Sequence, residues 1–312
     1  MTFRWLTSSL LLLFAVTVLT FVLSSLAPGN AVEVYFSGQA YTQEQYDQVE
    51  HQLGLDMPPP VRYWHWLTHA VRGDLGIDLF SGRSVTSELN ARIGPSLSII
   101  FGVLLLAAVV GVGFGVLSAV RGGALGRIVD VVAVLGFAVP NFWLAVVLID
   151  LFSVQVRLLP STGYVPFADD PVQWLRSLVL PVVALAVGTV ALIARQVRDS
   201  VLRVLAKDFV TALRAHGLPV RKIVFKHVLR NAAIPIVTAL GILFIGLLGG
   251  TVFVENVFGL PGIGQEAVSA GLTHNLPVIE GVALYFAILV VAINLLVDVS
   301  YRLLDPRART AR

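Results

Sequence analysis

The residues with which this 312-residue chain could do chemistry are six histidines and nineteen carboxylates; it has no cysteine. The histidines, His51, His65, His69, His216, His227 and His274, all fall in polar stretches. His65 and His69 stand at i, i+4, a spacing that lets two imidazoles on one helix face share a metal ion. No glutamate stands between them as in H-E-x-x-H, and no third ligand is evident, so the expectation is a pair of surface histidines beside Trp64 and Trp66 with no metal. The missing cysteines exclude disulfides, thiolate zinc sites and thiol catalysis. The glycines of Gly259-Leu260-Pro261-Gly262-Ile263-Gly264 resemble a phosphate cradle only superficially, because no Lys-Ser/Thr follows and no strand precedes. Asp130 and Asp150 lie near the two ends of an apolar run, where interfacial anchoring is expected; a proton relay calls for carboxylates at mid-membrane. An intramembrane protease or acyltransferase needs His/Asp/Glu or Ser/His clustered within apolar spans, and the histidines are elsewhere. The chain is expected to catalyse nothing itself.

Binding chemistry is more promising. Asp208 to Pro235 reads DFVTALRAHGLPVRKIVFKHVLRNAAIP and carries Arg214, Arg221, Lys222, Lys226 and Arg230 with a single acid, Asp208. Gly217 is placed to end a first helix, and Pro219 to open a second at a position where a missing N–H costs little. Ala212 and Ala215 allow close approach of a partner, Leu213 and Leu218 offer apolar anchors, and Arg214, Arg221 and Lys222 can pair with acids. The bland alternative is that these basic residues serve only the inside-positive bias and anionic lipid.

The elements that must position this segment follow from composition. The chain is 56% hydrophobic and 13% charged, which places it among polytopic membrane proteins. Apolar runs of roughly the 20 residues needed to span a bilayer begin at Trp5 and Ile93, near Ile128, and at Leu178, Ala232 and Val278. The first run is expected to remain as a span although Ser25-Leu26-Ala27 resembles a signal-peptide cleavage site, because Pro28 follows directly. Residues 27–92 form the longest polar segment, with a capping box at Thr42-x-x-Gln45 and an amphipathic helix over Val61 to Arg72. They are expected to be a folded outer domain. Gly111-x-Gly113-x-Gly115 in the second span allows another helix to approach closely, and Pro140 breaks the third. With the N-terminus inside, 16 of the 22 lysines and arginines lie on the inner side and six outside. The expectation is an all-α membrane protein of six transmembrane helices with both termini cytoplasmic. It divides as 1–26 (first span), 27–92 (external domain) and 93–312 (five-helix core containing 208–235).

Several stretches resemble one family. Arg214-Ala215-His216-Gly217-Leu218 with His227-Val228-Leu229-Arg230-Asn231-Ala232 and Pro235 resembles the EAA loop of permease subunits of bacterial ABC importers, in the dipeptide/oligopeptide/nickel branch. At the start of that motif Thr211-Ala212-Leu213 keeps only the first alanine. Gly73-Asp74-Leu75-Gly76 with Gly82-Arg83-Ser84-Val85, Pro140-Asn141-Phe142-Trp143, Leu159-Pro160-Ser161-Thr162-Gly163-Tyr164, Val254-Glu255-Asn256-Val257-Phe258 with Pro261-Gly262-Ile263-Gly264, and Asp305-Pro306-Arg307 resemble further stretches of the branch in the same order. The long first outer loop resembles the first of the branch's two permeases.

The resemblance implies the type I importer permease fold and a mechanism. This chain and a second permease subunit form a heterodimeric path in the bacterial cytoplasmic (inner) membrane. Two ABC ATPase subunits bind ATP and Mg below it, and an external binding protein delivers the substrate. Nucleic acid has no part, lipid surrounds the spans, and this chain holds no cofactor. Thr211, Ala212, Leu213, Arg214, Ala215, His216, Gly217 and Leu218 are the expected ATPase contact. Asn141, Glu255 and Asn256 either line the path or its outer gate, or cap helices and hold the outer loop. The expected substrate is a dipeptide or oligopeptide, with nickel, glutathione or another small solute as the alternative. A secondary carrier coupled to ions would predict charges deep in spans and an inverted repeat, and neither is clear.

Overall fold

The computed structural model describes residues 2–26, 31–36, 39–52 and 54–304. Among them the only strand-like pairing is an isolated antiparallel bridge between Ile77 and Ser84. The helices are α1 (Thr2–Leu26), α2 (Ala31–Phe36), α3 (Gln43–Gln52), α4 (Pro59–Ala70), α5 (Val85–Leu106), α6 (Val112–Arg121), α7 (Gly123–Ala138), α8 (Asn141–Ile149), α9 (Pro171–Leu205), α10 (Asp208–Ala215), α11 (Val220–Lys222), α12 (Leu229–Phe258), α13 (Ile263–Leu272) and α14 (Leu276–Leu304). Wider π-helical turns at Ala107–Gly111, Asp150–Gln155 and Ile223–Val228 join or extend α5, α8 and α11. In hydrocarbon every backbone polar group must be satisfied within its own segment, so such apolar runs become helices. Five continuous helical stretches are long and apolar enough to cross a membrane: Thr7–Leu26, Val85–Arg121, Pro171–Leu205, Val220–Phe258 and Leu276–Leu304. The expected third span is a pair, Gly123–Gly136 and Asn141–Gln155, bent by 91° at the Pro140 break, and counting it gives six. Ala27-Pro28 and the Asp305-Pro306-Arg307 ending lie outside the described residues.

The chain forms two compact units, Met1–Ser96 with Pro261–Val291, and Leu97–Leu260 with Ala292–Arg312. In the first, α1 packs on α4. The Tyr63 ring meets Phe14 and Phe21 edge-on, Thr17 shares a 2.9 Å hydrogen bond with Tyr63, and the Arg62 guanidinium lies 4.7 Å over the Phe21 ring. The predicted capping box forms at the start of α3, with Gln45 N–H donating to Thr42 Oγ1 and Thr42 N–H to Gln45 Oε1. The stretch from Gly73 to Val85 is a tight turn. Asp78 Oδ1 accepts from Phe80 N and Ser81 N, while Val85 N–H donates to Gly76 O. Leu75, Val85, Leu89, Ile263, Ala270, Val278 and Val282 make this unit's core. Ser96 Oγ accepts from the buried Ile263 N–H at 2.9 Å and so fixes the start of α13.

The second unit is built on α9, against which α6, α7, α8 and α12 pack. A β-carbon on Gly115 would stand 2.6 Å from the Ala194 carbonyl, and one on Gly111 would stand 2.9 Å from Ile193. These two glycines set the close approach expected of them, whereas Gly113 faces open space. Asp130, read as an interfacial anchor, accepts from Arg198 on α9 at 3.2 Å. Asp150 accepts from Gln155 at 2.7 Å. α12 meets the end of α14 through Thr238 and Tyr301, 2.6 Å apart, and through Gly241 against Val297.

Candidate functional site

The segment singled out in the sequence folds as an elbow. α10 ends after Ala215, and Gly217 takes φ +76°, a left-handed conformation that glycine adopts without steric cost. Leu218 N–H donates to Leu213 O at 3.2 Å and Gly217 N–H to Arg214 O at 2.9 Å, closing the helix end as a Schellman-type cap. Pro219 then stands extended (φ −65°, ψ 141°) ahead of α11, and the chain runs on through Ile223–Val228 into α12. The expected helix, turn and helix are therefore present.

The elbow has two faces. Val210 is fully buried with Ile223, Val224 and Val228, and Leu213 and Leu218 pack on the same cluster, which continues into α9 through Val201 and Val204. Sequence reasoning offered Leu213 and Leu218 as anchors for a partner; here they hold the elbow to its own core. The exposed face comprises Phe209, Thr211, Ala212, Arg214, Ala215, His216 and Gly217, with Arg221, Lys222, Phe225 and Lys226 exposed beyond the turn. It joins small residues to cations and aromatic rings, a surface suited to a close, acid-bearing partner.

Of the three candidate path residues, Asn141 lies on α8 and the adjacent Glu255 and Asn256 on α12. Asn141 opens α8 beside the Pro140 break and lines a cleft of about 290 Å³ whose walls include Gly136, Gly188, Thr189, Gly246 and Gly250. Those glycines and Thr189 were not singled out in the sequence as cleft residues. Their shared wall becomes visible only when α7, α9 and α12 are placed together. Glu255 is fully buried at the end of α12, where its carbonyl accepts from Leu260 N–H beyond the left-handed Gly259. Asn256, next to it and exposed, bonds back to Val252 O at 2.7 Å. Gly163, in the stretch that resembles Leu-Pro-Ser-Thr-Gly-Tyr, donates its N–H to Phe258 O and ties that loop to the same helix end.

A charged cluster in the first unit was not foreseen, because its members are distant in sequence. Arg92 reaches Glu266 at 2.8 Å and Glu88 at 3.5 Å, and the carboxylates of Asp78, Glu88 and Glu266 lie within 4.8 Å of one another. Burial raises the Glu266 carboxyl above its ordinary range; Arg92 opposes the shift, while Glu88 and Asp78 add to it. His65 and His69 are exposed on α4, and His69 Nδ1 donates to the His65 carbonyl at 2.8 Å.

The fold and the elbow define the class: a multi-pass permease component of a membrane transport system. Residues 111–310 match the family described as binding-protein-dependent transport system inner membrane component, and residues 1–81 match its N-terminal family. A protein of Sinorhizobium fredii (strain NBRC 101917 / NGR234) named as a peptide ABC transporter permease is 38% identical over 98% of both chains. One of Brucella abortus (strain 2308) named as a peptide transport system permease is 37% identical over 94% of both. The glutathione transport system permease of Escherichia coli O6:H1 is 37% identical over 95% of this chain and 94% of its own. Among solved structures, a chain of the inward-facing MetNI methionine ABC transporter aligns with a TM-score of 0.58 at 25% identity, covering 70% of this chain and 96% of that one. The chain belongs to the binding-protein-dependent transport system inner membrane component family. It carries the type I ABC importer permease fold.

Proposed function

We propose that this chain is one of two different permease subunits that together form the path of an ATP-driven importer for dipeptides or oligopeptides. An external binding protein delivers the peptide, and two ATPase subunits carry ATP and Mg and do the hydrolysis. The chain contributes no catalytic group. Both termini are cytoplasmic, in keeping with the distribution of lysine and arginine. The observation that carries the reading is the elbow Thr211–Leu218: its inner side is fixed by Val210, Leu213 and Leu218 and its outer side is exposed. Seated in a groove of an ATPase, such an element transmits a rigid-body movement into α9 and α12, because α10 shares one core with both. The cleft beside Asn141 is the proposed stretch of the path within this subunit. Its glycine walls expose backbone, which suits a solute whose own backbone varies little while its side chains vary widely.

Peptide is favoured because relatives aligned over nearly the whole chain carry that name. Glutathione is the second reading, favoured by the Escherichia coli relative. The test is uptake in cells lacking only this chain, with labelled dipeptide, pentapeptide, glutathione and nickel offered in parallel. Loss of peptide uptake, restored by the wild-type chain but not by Gly217→Val, is the expected result. Loss of glutathione uptake alone transfers the assignment to the second reading. Peptide uptake that persists without the chain removes the first.

A further inference from the structure

The first unit holds a cavity of about 300 Å³ whose lining shares no residue with the elbow or with the cleft beside Asn141. Its polar lining is rich in acceptors. Glu280, 7% exposed, forms part of the wall and accepts no hydrogen bond or ion pair among the described residues. Asp74 lines the same space. The two histidine rings whose tautomers are readable present acceptors as well. His69 donates from Nδ1 to the His65 carbonyl, and His51 Nδ1 is held 2.7 Å from Asp56 Oδ2, which leaves Nε2 of each ring as an acceptor when neutral. The one full cation in the lining, Arg62, donates to Ser25 Oγ at 2.7 Å and covers the Phe21 ring; its charge also acts on Glu280, but it gives that carboxylate no hydrogen bond or close ion pair. The indole N–H of Trp66 is wholly buried and does not open onto the space. Met57, Leu79, Leu276 and Pro277 supply an apolar flank.

A buried carboxylate without a donor is costly, so a ligand that brings a donor gains from filling this cavity. Among the described residues, the one group of three or more side chains close enough to share an ion, Asp78 with Glu88 and Glu266, includes none of these histidines. We propose that the cavity binds a primary ammonium carried beside an apolar group, with Glu280 as its counter-ion and Asp74 and His69 as further acceptors. Two sources present that chemistry: the free N-terminus of a peptide and the headgroup of phosphatidylethanolamine. The first rests on the importer reading given above; the second does not.

The test uses the purified full-length chain in nanodiscs of phosphatidylcholine, which offers no primary amine. Labelled Leu-Ala amide is titrated against its N-acetylated form, and the wild-type chain is compared with Glu280→Gln and His69→Ala. The proposal predicts saturable binding of Leu-Ala amide, weakened about tenfold or more by N-acetylation and by Glu280→Gln. His69→Ala, an exposed change, guards against a folding defect and is expected to weaken binding by a smaller factor. Nanodiscs of phosphatidylethanolamine that suppress peptide binding would assign the ammonium to lipid; unchanged binding there would assign it to peptide. Equal binding of the acetylated form, or wild-type affinity in Glu280→Gln, overturns the proposal. Either result leaves the uptake assay untouched, so the two readings fail separately.

Discussion

Gly217 allows the coupling role of the elbow to be tested quantitatively. Its φ of +76° is left-handed, and a β-carbon there would meet nothing within 4 Å. Substitution is therefore penalised through the backbone and not through a clash. An L-residue forced into this conformation costs about 1–2 kcal/mol, more if β-branched and less for asparagine, which visits it readily. Burial of Val210 alone contributes about 1.5–3 kcal/mol, so in Gly217→Ala the elbow remains on its core and only the orientation of its end is disturbed. If that orientation is required for the ATPase to dock, the same energy appears as a loss of affinity of about tenfold for alanine. The assay is titration of ATPase subunits onto the reconstituted permease, together with peptide-stimulated ATP hydrolysis. The expected order of affinity is glycine, asparagine, alanine, valine. Wild-type affinity and coupling in both Gly217→Ala and Gly217→Val would refute the reasoning. Asparagine as harmful as valine would show that side-chain size, not backbone conformation, governs the contact.

Further outcomes follow from the same geometry. Val210→Ala removes buried methyl groups that hold α10 down; a local loss of about 2 kcal/mol is expected, measured as faster trypsin cleavage after Arg214. Gly115→Leu places side-chain atoms where α6 and α9 touch and is expected to lower thermal stability in detergent by several degrees, whereas Gly113→Ala, in open space, is expected to be neutral or stabilising. Glu266 has its carboxyl raised by burial. Its folded form thus holds a proton more tightly than the unfolded chain, and it makes stability fall as pH rises from the ordinary carboxylate range through the raised value. Glu266→Gln is expected to flatten that part of a melting-temperature profile, and an unaltered slope would count against it.

Much of this architecture was legible because a membrane simplifies the code. Apolar length gave the spans, and arginine and lysine distribution gave an expected orientation. Gly217 and Pro219 marked the elbow because their backbone preferences are local, and Thr42-x-x-Gln45 marked the start of α3 for the same reason. The right-angle turn at Pro140 was legible as a break but not as an angle, because the angle depends on what α7 and α8 pack against. The inward turn of Leu213 and Leu218 was missed, since a short helix with apolar residues on one side does not say whether that side meets its own core or a partner. The Arg92 cluster and the glycine-lined cleft were invisible, each being assembled from residues separated by long stretches of chain.

The central claim is that the outer face of the elbow is the ATPase contact, and the absence of native cysteine makes it directly measurable. Single cysteines at Thr211, Ala212, Ala215 and His216, and at the buried Val210 as control, would be probed in the assembled complex with a short thiol-to-amine cross-linker. Cross-links to the ATPase subunit from the four exposed positions and none from position 210 are predicted. Their absence from an intact, transport-competent complex would contradict the assignment of the elbow as the coupling element.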